Sequence, residues 1–226
     1  FSLADGQTAR VFMSVVATNR TLTIVEQARV DWQGAAAISC SATTGSPLVT
    51  RNNATRTITA RLNTTNSGAA CTVTNTKRPR ITLVESVQGR LFASDQFELS
   101  VSGAGSTILT SLAGAVLDPG MVKVATTGAG TGAFTNTTHP TFLATAGQSL
   151  ILANAMAAGS ASTAASYETR LTCTNAFSGP GATTGLPVDQ SVSSQAVVPA
   201  PGDDITCTYT HTPNALLTLS KVVVND

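Results

Sequence analysis

LLTLSKVVVND, residues 216–226, is the stretch whose reading decides the fold. As a strand with a period of two, it sets Leu217, Leu219, Lys221 and Val223 on one face and Leu216, Thr218, Ser220, Val222 and Val224 on the other. A lysine therefore lies in phase with leucines, and no strand signal follows it in the chain. A strand left single exposes apolar side chains and an unpaired edge, so this one is expected to order against another copy of the chain.

The same text occurs inside the chain. ITLVESV, residues 81–87, aligns without gaps on LTLSKVV, residues 217–223. Working outward, TLTIVE (21–26) corresponds to LILAN (150–154), the Cys40 stretch (35–41) to RLTCTN (170–175), and ACTVTNT (70–76) to DITCTYTHT (204–212). FELSVS (97–102) matches the opening FSLADG (1–6), and the linker Lys77-Arg78-Pro79-Arg80 matches Pro213-Asn214-Ala215. Further alternating runs cover 9–17, with Val11, Met13 and Val15, and 55–62. Residues 103–149 are an expansion rich in Gly, Thr and Ala, with strand signals near 108–112, 121–125 and 141–144. The expected organisation is an all-β chain of two β-sandwich modules. Residues 1–78 lack their own first strand, 79–213 carry the insertion, and 214–226 are a C-terminal donor strand. The first module's opening strand thus stands at the far end of the chain, a circular permutation of a tandem pair.

Cys40, Cys71, Cys173 and Cys207 repeat at spacings of 31 and 34 (71 minus 40, 207 minus 173). Four cysteines allow three pairings, and the matched spacing favours Cys40–Cys71 and Cys173–Cys207 over four free buried thiols. Disulfides place the chain in an oxidising, extracellular setting. Zinc is disfavoured because no CxxC pair occurs.

Composition narrows the function classes. A net charge of +1, with 11% charged residues and scattered arginines, lays down no footprint for nucleic acid or an anionic membrane. The longest apolar runs, such as 108–117, are too short to span a bilayer. No GxSxG, HExxH or P-loop pattern occurs, so neither turnover catalysis nor a cofactor nor a metal is expected. The chain opens on Phe1 and reads as a processed or excised segment. Asn19, Asn53, Asn63 and Asn136 head glycosylation sequons, which a Thr-rich β chain also produces by composition alone. Asp203-Asp204 in a PGDD turn is a weak calcium signal without further patterned carboxylates.

With these motifs in order, the chain resembles the prealbumin-like, Cna protein B-type (SpaA-like) repeat domains of bacterial surface and pilus proteins. The resemblance rests on the LTLSKVVVN strand, the TLTIVE strand, the ISC segment and the CTVTNT strand, is strongest over 20–85 and 204–226, and covers 103–149 poorly. It implies a small Greek-key β-sandwich. It also implies an isopeptide crosslink between a first-strand lysine and a last-strand asparagine, promoted by a carboxylate; the matching positions are Lys221, Asn75 and Glu26. Independently, each of these three lies in phase with the apolar face of its own strand, and buried polar groups must find one another. A buried Lys–Glu pair without a covalent bond is the alternative. In the second module Glu85, Asn154 and His211 occupy the three positions, so no amine is available there and a noncovalent polar cluster or solvent exposure is expected.

The function expected on these grounds is a structural subunit of an extracellular, pilus-like filament, its partner another copy of itself, added head to tail by strand donation. One alternative is an excised repeat of a giant cell-surface adhesin, in which the last strand opens the next linked module. The other is an adhesin module that binds a surface or host ligand through 103–149, with Phe134, His139 and Phe142 as anchors.

Overall fold

The computed structural model of the chain describes residues 8–12, 17–33, 37–103, 110–112, 121–126, 130–135, 141–215 and 221. Its contacts divide the chain into two units, Phe1–Asn75 and Thr76–Asp226. The described residues are strand and loop apart from one turn of 3-10 helix at Ala164–Ser166. No helix among them is long and apolar enough to cross a membrane.

Unit one carries β1 (Arg20–Val25), β2 (Ala37–Thr44), β3 (Leu48–Asn52), β4 (Thr57–Leu62) and β5 (Gly68–Thr74). One antiparallel sheet runs in the order β1-β4-β3, and β2 pairs β5 in a second. Alternation in TLTIV and TITARL suits strands covered on one face. Ile58, Ala60 and Leu62 turn inward from β4, and Ile58 meets Ile38, Ile24, Cys40 and Val49. The β3–β4 turn has a local cause: Asn52 Oδ1 accepts the Thr55 N–H at 3.1 Å, and Arg56 closes it in the left-handed region at φ 54°. β3 had no clear signal, because LVTRN alternates only once and becomes a strand by pairing with β4. The strand expected over 9–17 is not formed at 9–12, where Val11 and Phe12 stay exposed instead of packing on a sheet, while 13–16 and the 1–6 run fall outside the described residues.

Unit two carries β6 (Arg80–Val87), β7 (Phe97–Gly103), β8 (Thr110–Ser111), β9 (Met121–Thr126), β10 (Phe134–Thr135), β11 (Thr141–Leu143), β12 (Leu150–Met156), β13 (Tyr167–Asn175), β14 (Ser194–Val197) and β15 (Asp204–Pro213). One sheet runs β13-β15-β6-β11-β8, with β10 also on β6, and the other β14-β12-β7-β9. All pairings are antiparallel except β15 on β6, which is parallel. A core of Ile81, Leu83, Leu99, Leu152, Phe142 and Tyr209 with their neighbours joins the inner faces of these strands. A smaller cluster of Val87, Phe97 and Tyr167 lies nearby. Under it the buried Asp95 carboxylate accepts from Tyr167 Oη (2.7 Å), Ser162 Oγ (2.7 Å) and Ser162 N (2.8 Å), ties that hold its proton affinity below the usual range despite burial.

Two local arrangements recur in the units. Cys40 faces Cys71 across β2 and β5, and Cys173 faces Cys207 across β13 and β15. Each pair is a disulfide with Cα atoms 4.1 Å apart, the close non-hydrogen-bonded spacing of an antiparallel ladder. Just past β1 the Glu26 N–H donates to Arg56 O (3.0 Å), as the Asn154 N–H in β12 donates to Ser193 O (2.8 Å) before β14. The units differ beyond the disulfide. β15 lies between β13 and β6, whereas β5 has β2 on one side and no strand among the described residues on the other. The inward residues of β15, Ile205, Cys207, Tyr209 and His211, are each 0% exposed, while on β5 Cys71 is exposed and Val73 is 37% exposed.

Candidate functional site

In unit one the polar residues that shared the phase of the apolar faces converge. Glu26 follows Leu22 and Ile24 on the inner face of β1, and Asn75 follows β5 in the phase of Cys71 and Val73. Asn75 Nδ2 donates a short hydrogen bond to Glu26 Oε1. Glu26 Oε2 and Asn75 Oδ1 are buried without a hydrogen-bond partner among the described residues. The nearest cation to Glu26 Oε2 is the buried Arg56, whose Nη1 lies 3.8 Å away while its Nη2 donates to Gln33 O at 2.6 Å. A carboxylate next to a side-chain amide is an arrangement that can hand a proton to a departing amide nitrogen. Lys221 is exposed, and the rest of 216–226 lies outside the described residues.

Unit two brings Glu85, Asn154 and His211 together as a buried noncovalent cluster. Asn154 Nδ2 donates to His211 Nε2 at 3.2 Å, leaving Nδ1–H to donate to Thr169 Oγ1 at 3.1 Å. Glu85 Oε1 is 3.6 Å from Nε2, and the imidazole stacks on Phe97 with ring centres 3.9 Å apart. Glu85 and His211 are both 0% exposed. Burial pushes the Glu85 carboxyl up to about 8, against an opposing pull from Arg90, and pushes His211 down to about 4. The folded pair therefore holds one proton across that range. The unfolded pair, with ordinary values of 4.5 and 6.5, holds two protons below 4.5, one between, and none above 6.5.

Stability is therefore expected to be flat from pH 4.5 to 6.5 and to fall from 6.5 to 8, where only the folded state keeps its proton. The loss is about 2 kcal/mol at 1.36 kcal/mol per unit. Below 4.5 the unfolded state binds the extra proton and stability falls again. Glu85→Gln should abolish the alkaline fall and move the onset of the acid fall up from 4.5 to 6.5, where the unfolded His211 begins to bind a proton that the folded one refuses. Denaturant titrations at pH 6.5 and 8, followed by the signal of Tyr167 and Tyr209, both in unit two, measure this; an unchanged alkaline slope in Glu85→Gln rejects the assignment.

Several residues singled out in the sequence have structural roles. Phe142 is 1% exposed in the core and Phe134 packs half-buried against the Phe97 cluster, so neither is available as a ligand anchor; burial in the sandwich outweighs display. His139 lies outside the described residues. Asp203 Oδ1 accepts from Asn175 Nδ2 (2.8 Å) and Thr183 N (3.2 Å), its Oδ2 accepts from Ala200 N (2.7 Å), and Asp204 pairs with Arg80, so this acidic turn is occupied by protein donors. No group of three or more metal-ligating side chains occurs among the described residues. Arg56 carried no signal in the sequence, since a charged residue in a turn is ordinarily solvated.

A family described as a prealbumin-like fold domain matches residues 80–213, more than half of the chain. The match falls on unit two, including the expansion that the sequence motifs covered poorly. Solved structures that resemble the chain include two pilins. The crystal structure of the major pilin from Streptococcus pyogenes shares 12% identity at a TM-score of 0.37, over 88% of this chain and 72% of that one. The major pilin protein T-13 from Streptococcus pyogenes shares 10% at 0.33, over 90% and 94%. No curated protein matches. Likeness at this level leaves function to be read from the chain's own residues.

Proposed function

Because this chain belongs to the prealbumin-like fold family, we propose that it is a structural subunit of an extracellular, pilus-like filament, built by passing the 216–226 strand of each copy to unit one of the next. The observation that carries this reading is the open side of β5. Unit two satisfies the equivalent side of β15 with β6, in parallel, and buries the whole inward face; unit one leaves Val73 and Cys71 exposed beside an edge that no strand among the described residues pairs. Added strands satisfy backbone groups and cover apolar face together, and a head-to-tail contact of this kind does not close on itself.

Register follows from unit two. There Cys207 pairs Leu83, Tyr209 pairs Glu85 and His211 pairs Val87. The same alignment sets Leu219 opposite Cys71, Lys221 opposite Val73 and Val223 opposite Asn75. As Glu85 reaches across to His211, Lys221 would reach Asn75, already held by Glu26. The Lys221 Nζ lone pair attacks Asn75 Cγ, the Cγ–Nδ2 bond breaks, and Glu26 takes the proton from Nζ and returns it to Nδ2, which leaves as ammonia.

Intact mass under reducing, denaturing conditions tests the bond. Wild-type filaments should give a ladder of multimers, each junction lighter by one ammonia, and Lys221→Ala or Glu26→Ala should give monomer. A lone monomer mass from wild-type filaments excludes the crosslink.

A further inference from the structure

We propose that Arg56 is the positioning residue of the crosslink site, holding the Glu26 carboxylate on Asn75 and balancing its charge before the lysine arrives; this rests on the crosslink proposed above. Arg56 is 5% exposed, and a guanidinium is removed from water only where partners compensate it. It is also one of two non-glycine residues with positive φ among the described residues, at 54°, a conformation that the surroundings must enforce. The turn holds that backbone, the Arg56 N–H donating to Asn53 O at 3.3 Å, and Glu26 lies against it. The Arg56 carbonyl accepts the Glu26 N–H at 3.0 Å, its Nη1 stands 3.8 Å from Glu26 Oε2, and its Nη2 is anchored on Gln33 O at 2.6 Å. With Oε2 drawn toward the guanidinium, Oε1 is the oxygen left to meet Asn75 Nδ2.

Unit two supplies the contrast. The residue whose carbonyl meets Asn154, at the place equivalent to Arg56, is Ser193, and there the carboxylate stands on β6 as Glu85. Glu85 too has a buried arginine within reach of its charge, Arg90, so a buried arginine attends the carboxylate in each unit and its place differs as the place of the carboxylate does. The Arg56 charge has a use in the chemistry. Attack on Asn75 Cγ uses the lone pair of the Lys221 amine, and the guanidinium offsets the carboxylate charge that would otherwise face that amine alone. The Nζ–Cγ bond then forms as Cγ–Nδ2 breaks, and the proton passes from Nζ through Glu26 Oε1 to the departing ammonia.

The test separates strand uptake from bond formation in the full-length chain. Filament assembly is followed by electron microscopy and light scattering, and junction formation by denaturing mass analysis over time. Arg56→Gln should assemble filaments yet form junctions about ten-fold or more slowly, a positioning loss smaller than the roughly hundred-fold or more of a whole acid–base contribution. Arg56→Lys, which keeps the charge, should fall between it and wild type. The Asn75 side-chain amide resonance should move in Arg56→Gln, and Trp32 fluorescence checks that unit one is folded. Junction rates within about two-fold of wild type in Arg56→Gln would overturn the role, given the size expected of such a contribution. So would a parallel loss of assembly and junctions in both variants, which marks a merely structural arginine. Absence of junctions from wild type overturns the crosslink itself and this role with it; junctions present but indifferent to Arg56 overturn this role alone.

Discussion

A chain ending at residue 215 is expected to fold and to form no filaments, while Lys221→Ala still forms them without covalent junctions. The first expectation follows from what β6 does in unit two, where Ile81, Leu83 and Val87 are 0–1% exposed against β15 and its neighbours. Leu217, Leu219 and Val223 are the matching residues of the terminal strand. Burying three aliphatic side chains is worth on the order of 5 kcal/mol. Even after the cost of association, losing it weakens the contact by roughly three powers of ten or more, at 1.4 kcal/mol per tenfold. Lys221, by contrast, contributes the covalent bond and not the apolar cover, so its removal should spare assembly. Negative-stain microscopy and sedimentation of the truncated and Lys221→Ala chains decide the matter. Filaments from the truncated chain would sink strand donation, and their absence in Lys221→Ala would give the lysine an assembly role that the apolar argument does not.

The second large effect concerns the disulfides. Replacing Cys173 and Cys207 by alanine opens a link of sequence separation 34 between β13 and β15, beside the parallel β6 pairing. Releasing a loop of that size costs about 4 kcal/mol in the chain-entropy model. For a unit of this size that lowers the melting temperature by roughly 10 to 15 °C. The tyrosine signal of unit two reports it, and a drop under about 3 °C, less than 1 kcal/mol, would reject the estimate. Opening Cys40–Cys71 should do more. The buried cluster there is Ile38 and Ile58, with Ile24, Cys40 and Val49 half-buried, and on β5 Cys71 and Val73 are exposed. Unit one without its disulfide is expected to be unfolded as an isolated chain, which the emission of Trp32, the chain's one tryptophan, reads directly.

Much of unit two was legible because its signals are local. ITLVESV, LILAN, RLTCTN and DITCTYTHT alternate with a period of two, and each lies within an observed strand or matches one closely. β3 and β14 were not legible: LVTRN and SQAV are too short to show a period and are strands because β4 and β12 offer them edges. The phase of Glu26 and Asn75 could be read residue by residue, but not the short contact between them, which depends on where two different sheets end. Arg56 was hidden for the same reason, since its burial comes from Gln33 O and Glu26 lying over the turn.

By itself the sequence determined an all-β chain with a repeated strand text, matched cysteine spacings, and a lysine, a glutamate and an asparagine each in phase with apolar neighbours, because strand periodicity is a property of the backbone. Tertiary structure alone decided three things: that β15 has a parallel partner in β6 while β5 has none among the described residues, that Phe142 serves the core, and that a buried arginine attends Glu26. These are decided by which edges and faces meet, and contacts between residues tens of positions apart are not written in any local pattern.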